Sequence, residues 1–233
     1  MRARGFGVMP MLAVGSLLVA ACGSSDSGGG NTGPTPDFTV AAGTAAATTL
    51  GTQTTFTVDL HSSGYAGPVT LAVTGAPATW TVAIAASPVT LAANGNASAT
   101  VTVTVPSNGA AAPSGQTLTV HATAGSVAHT SGTRVTVANE FIVPIASGTG
   151  TGAHWGTLAG TTVYLNAGTT LTIRNDDSSV HQVHANNTIT GFPHQAGDMT
   201  TGGAYSNVLA SGSDTFYCHD HGQGAGTVKI IVQ

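Results

Sequence analysis

The chain has 233 residues, of which only 6% are charged, and a formal net charge of −4. Apart from Arg2 and Arg4 its basic residues are Arg134, Arg174 and Lys229, set against nine acidic ones, so the basic footprint that nucleic-acid binding requires is missing. Abundant Thr, Val, Ala and Gly with little Leu, Glu or Lys disfavours helices and predicts an all-β chain.

Taken in chain order, Arg2 and Arg4 precede an apolar run from Phe6 to Ala20 that ends in Val19-Ala20-Ala21-Cys22. A basic start, a short apolar stretch and small residues before a cleavage point read as a secretory signal over residues 1–21. The run is short for a permanent membrane span. Cys22 directly after the small residues resembles the lipobox of bacterial lipoproteins, which implies cleavage before Cys22 and lipidation of its sulfur. Gly23 to Pro36 is rich in Ser, Gly and Pro, so residues 22–36 read as a flexible tether. Gly23 stands where an inner-membrane retention signal would place Asp. The expected location is therefore the outer membrane facing the periplasm, with the cell surface as the alternative.

Residues 37–138 alternate apolar and polar side chains in short runs. Thr54-Phe56-Val58-Leu60, Val69-Leu71-Val73, Trp80-Val82-Ile84, Ala99-Val101-Val103-Val105 and Leu118-Val120-Ala122 each place every second residue on one face, as half-buried strands do. Gly67-Pro68, Gly75 with Pro77, Asn94-Gly95 and Ser107-Asn108-Gly109 punctuate them. About seven strands in roughly 100 residues fit an immunoglobulin-like sandwich. The stretch from Gly64 to Pro106 resembles the Ig-like modules of bacterial exported proteins. Trp80 is expected in the core, and His61, His121 and His129 on solvated positions. A spacer or docking role is expected for this domain.

Residues 139–233 form the second domain. Strands are expected at Glu140 to Pro144, Thr161 to Leu165, Thr169 to Arg174, Val180 to His184, Tyr205 to Leu209, Asp214 to Cys218 and Gly226 to Val232. Six of the nine histidines lie here: His154, His181, His184, His194, His219 and His221. If Cys22 carries lipid, Cys218 has no disulfide partner, and an unpaired thiol in an oxidising compartment calls for a reason such as metal ligation. Cys218 closes a strand, and His221 follows three residues on in a tight loop. A soft thiolate and a borderline imidazole aimed at one ion suit copper.

The two segments AGTTLTIRNDDSSVHQVHA and FYCHDHGQGAGTVKIIV, in this order, resemble the cupredoxins, the plastocyanin and amicyanin type in particular. The resemblance implies a Greek-key β-sandwich holding one copper ion through His181, Cys218 and His221. It also implies that Asn175 braces the His181 loop against the Cys218 loop by hydrogen bonding. The family's axial methionine is missing. Gly224 stands in its place, and Met199, the one methionine after the signal, precedes Cys218. Gln223 is the adjacent candidate for an axial oxygen donor; otherwise the position is open or taken by water or a backbone carbonyl. Met199 is expected in the core or at the rim. His219 should face away from the metal, His184 should lie on the opposite strand face, and His194 is read as a solvated loop histidine. His154, beside Trp155 in a Gly/Thr stretch, gives no signal.

The fold class is thus all-β, two β-sandwiches in series, an Ig-like domain and a C-terminal Greek-key cupredoxin-like domain. The leading function is one-electron transfer in the cell envelope with a redox partner protein; the lipid anchors the chain to a membrane. Copper storage or delivery to a partner is the alternative, and a structural surface protein with a vestigial site the third. No enzymatic site is expected: no carboxylate pair stands beside a nucleophile.

Overall fold

The structure, a computed structural model, describes residue 33 and residues 35–233. The signal, Cys22 and most of the tether lie outside the described residues. Among the described residues there is no α-helix, only a 3-10 turn at Gly156–Leu158, and no helix is long and apolar enough to cross a membrane.

The first part comprises β1 (Asp37–Ala42), β2 (Thr48–Leu50), β3 (Gln53–Ser63), β4 (Gly67–Thr74), β5 (Thr81–Ile84), β6 (Val89–Leu91), β7 (Asn96–Thr104), β8 (Ala112–Ala124) and β9 (Val127–Ile145). β3 buries every second residue along its whole length, as a strand with one face to a core must. Phe56, Val58 and Leu60 thereby meet the same core as Val101 and Val103 of β7 and Leu118 and Val120 of β8. One sheet runs β1-β3-β7-β5; its companion contains β9-β8-β4-β6. Trp80 is buried, as its alternation predicted, and its indole N–H donates to the Ala110 carbonyl.

The second part adds β10 (Thr162–Leu165), β11 (Thr170–Asn175), β12 (Val183–Ala185), β13 (Ala204–Val208), β14 (Gly212–Cys218) and β15 (Gly222–Val232). A four-stranded sheet runs β10-β15-β14-β12, while β11 and β13 continue the larger sheet beyond β9. From β9 to β14 consecutive strands therefore alternate between the two sheets. β10 runs parallel to β15 and β11 parallel to β9, so these pairs are joined by crossovers and not by hairpins.

Two differences from the sequence expectation concern element limits. β9 runs unbroken from Val127 to Ile145, across residues 138 and 139; its first half pairs with β8 and its last six residues with β11. The strand expected at Val180 to His184 is shortened to Val183–Ala185, because His181 makes a separate two-bond bridge with Met199.

Candidate metal centre

β14 buries Asp214, Phe216 and Cys218 on its inner face, and its pairing with β15 shifts register between Tyr217 and Cys218. The chain then turns through residues 219–221 and re-enters the sheet at Gly222, whose φ is +66°. A residue without Cβ adopts that left-handed conformation at little cost, so the turn closes tightly and brings His221 back over Cys218. The Cys218 Sγ lies 3.2 Å from the His221 Nδ1 and 3.6 Å from the His181 Nδ1. Cys218 and His181 are fully buried, and His221 is half-buried. Among the described residues Cys218 is a free thiol.

His181 is oriented from behind. Its Nε2 lies 3.1 Å from the Asp177 Oδ2, and a carboxylate can only accept, so Nε2 carries the proton and Nδ1 presents a lone pair toward Cys218. Asp177 also accepts from the Gly148 and Gly150 amides at 2.8 and 3.0 Å. Burial alone would push the Asp177 carboxyl up, but the hydrogen bond to His181 and those from backbone amides, Gly148 first, outweigh it and hold the group well below the usual carboxylate range. Asn175 locks the same loop: its amide donates to the Ser179 and Met199 carbonyls, and its oxygen accepts from the Asp177 amide. These bonds correct the expected brace. Asn175 ties the His181 loop to the Met199 segment, because that segment, and not the Cys218 loop, bridges to His181.

The fourth member of the cluster is His154. Ligand atoms of His154, His181, Cys218 and His221 all lie within 4.8 Å of one another. The ring of His154 packs against those of His181 and His221 at centroid distances of 4.6 and 4.8 Å. Its loop docks on β15: the His154 amide donates to the Ala225 carbonyl at 3.3 Å and the Trp155 indole to the Gly226 carbonyl at 2.9 Å. Sequence reasoning drew nothing from this residue. The signal was present in the pairing of His with a large aromatic amid small residues and in the missing axial methionine, which left one donor unaccounted for.

Neither ring nitrogen of His154 has a hydrogen-bond partner, although the side chain is fully buried. Burial, then the neighbouring His181 and His221, push its pKa down to about 4, which keeps the ring neutral and able to ligate. An orphaned buried imidazole is costly alone, and an ion at the centre of the cluster would engage one of its two nitrogens. One thiolate and three imidazoles suit a soft or borderline ion, copper or zinc. Gln223, the expected axial donor, lies exposed in β15 with His154 occupying the buried fourth place. Met199 is buried, as expected.

His184, His194 and His219 take no part in this centre. They are not scattered surface histidines either, for their ring nitrogens converge within 4.8 Å of one another.

No family model matches the chain, and no curated protein matches it. Solved structures similar to its C-terminal part include a purple cupredoxin from Nitrosopumilus maritimus, 25% identical with a TM-score of 0.32, over 40% of this chain and 98% of that one. A reduced-state amicyanin variant is 23% identical with a TM-score of 0.32, over 40% of this chain and 82% of its own. A second reduced amicyanin variant is 22% identical with a TM-score of 0.32, over 41% and 83%. In the chain itself, two sheets flank the C-terminal part, and a buried His/Cys cluster sits at the β14–β15 turn.

Proposed function

We propose that this chain is a one-electron carrier of the bacterial cell envelope, holding one copper ion through His181, Cys218 and His221 with His154 as the fourth donor. The observation that carries the reading is the convergence of a buried free thiol with three imidazoles, one of which has no other partner. Copper bound there would exchange single electrons with a partner. The chain's own residues prepare the place. Asp177 keeps the His181 proton on Nε2, and burial excludes water from the thiolate. Strand β14, the His181–Met199 bridge and the docking of the His154 loop on β15 limit movement of Cys218, His181 and His154. Half-buried His221, between exposed Asp220 and the glycines Gly222 and Gly224, offers a small contact surface to a redox partner. The few charges of the chain favour recognition by shape over electrostatic steering.

In this reading Cys22 carries the lipid, the anchor lies in the outer membrane facing the periplasm, and residues 37–138 form an Ig-like spacer holding residues 139–233 clear of it. Storage or delivery of copper is the second reading, favoured by the half-exposed histidine trio beside the centre.

The two are separated by cycling the copper-loaded full chain between ascorbate and ferricyanide in the presence of a Cu(I) chelator. An electron carrier keeps its copper through repeated cycles. Loss of the ion to the chelator on the first reduction would overturn electron transfer in favour of delivery.

A further inference from the structure

The geometry points to a second metal site, formed by His184, His194 and His219, that takes a divalent transition-metal cation and binds Cu(II) most tightly. The three side chains come from separate places: β12, the loop after it, and the turn between β14 and β15. The His219 Nδ1 lies 2.9 Å from the His194 Nε2 and 3.2 Å from the His184 Nδ1. No carboxylate oxygen lies within the group.

Proton counting sharpens the point. The His194 Nδ1 faces the Gln195 carbonyl at 2.7 Å. It must donate there, which leaves Nε2 as a lone pair facing the cluster. If the His219 Nδ1 is protonated, its one hydrogen must serve both neighbours. If it is bare, its lone pair confronts that of His194. Either neutral arrangement leaves one of the two short contacts without a linear hydrogen bond. A cation between the three nitrogens satisfies all of them together.

The surroundings hold the rings in place. His184 stacks on Tyr217 at 4.4 Å and 21°, and the His219 amide donates to the Gln182 carbonyl at 2.7 Å. Gln195, whose carbonyl fixes His194, is itself pinned: its amide donates to the Val183 carbonyl and its side-chain oxygen accepts from the Val183 amide. His184 and His194 are half-buried and His219 is exposed. A cation there would keep a position open to water, as three-histidine sites do. Among divalent ions such a nitrogen set favours Cu(II), then Zn(II).

The test titrates the full chain, free of any histidine tag, with Cu(II), counting bound ions and recording the visible and electron spin resonance spectra. The comparison is a His184→Gln/His194→Gln variant. The proposal expects the variant to bind one equivalent fewer, with loss of a nitrogen-ligated signal that has no thiolate-to-copper band. That band reads the Cys218 centre separately, so failure of either site is visible on its own. Equal stoichiometry in the two proteins would overturn the proposal. If the double variant does not fold, His194→Gln alone must weaken the equivalent lacking the thiolate band by about tenfold or more; unchanged affinity would overturn the proposal.

Discussion

His154 carries a cost in the metal-free protein, since two ring nitrogens stand unpaired in a site with no exposure. An unsatisfied buried polar group costs about 1–3 kcal/mol. His154→Leu, close in volume and free of polar atoms, should therefore stabilise the metal-free chain by roughly 1–2 kcal/mol while weakening copper binding about tenfold or more. Urea unfolding and metal titration of the same variant measure the two effects. A loss of metal-free stability with unchanged copper affinity would mean that His154 is a packing residue. The other donors were legible because their geometry is local: Cys218 and His221 share one turn, and His181 shares one loop with its brace Asn175. Asp177 in that loop was missed because its bond to His181 depends on how the loop folds, and its bonds from the Gly148 and Gly150 amides are tertiary. His154 enters the cluster only through the docking of Trp155 and its own amide on β15. That contact is tertiary, and no spacing within the His154 segment encodes it.

The elements that deliver the donors depend on one close approach. Gly226 has φ +102°, and a Cβ there would meet the Ala159 Cβ at 3.2 Å and the Trp155 Cδ1 at 3.3 Å. Gly226→Ala should destabilise the chain by about 1–3 kcal/mol and loosen the His154 loop, read as a lower melting temperature and weaker copper binding. Gly222→Ala, left-handed but with nothing within 4 Å, should cost less. A second check lies on β13. The Tyr205 hydroxyl donates to the Pro193 carbonyl, and burial, ahead of the opposing Asn207 hydrogen bond, raises its pKa from 10 to about 12. Between those values the unfolded chain loses the phenolic proton while the folded chain keeps it, so stability falls as pH rises through this window. Tyr205→Phe should flatten that fall, measured by urea midpoints at pH 9 to 12. Strand alternation was legible wherever one face is buried, as in β3. The short β2 and β6 carry too few residues to show a period, and β12 was misjudged because Met199 captures His181.

At the scale of the whole molecule β9 links the two sheet systems. Thr48 and Thr49 of β2 pair with Val137 and Ala138, and Leu50 pairs with Phe141, so pairing from the N-terminal part reaches beyond residue 138. Side-chain bonds tie the parts further: Ser107 donates to the Tyr164 carbonyl and Asn166 to the carbonyls of Asn108 and Gly109. The sequence showed two β-rich stretches with different residue usage. The continuity of β9 was hidden because Ala138-Asn139-Glu140 interrupts the apolar alternation at the crossing. Tests of the centre accordingly belong on the full chain.

The most direct measurement is a Cu(II) titration of the full chain, purified reduced, followed by visible absorption beside a Cys218→Ser variant. An intense thiolate-to-copper band is expected that saturates within two equivalents, the second being taken by the His184, His194 and His219 site, bleaches with ascorbate and is absent from the variant. A pale protein, with the same spectrum whether or not the thiol is present, would contradict the Cys218 copper centre.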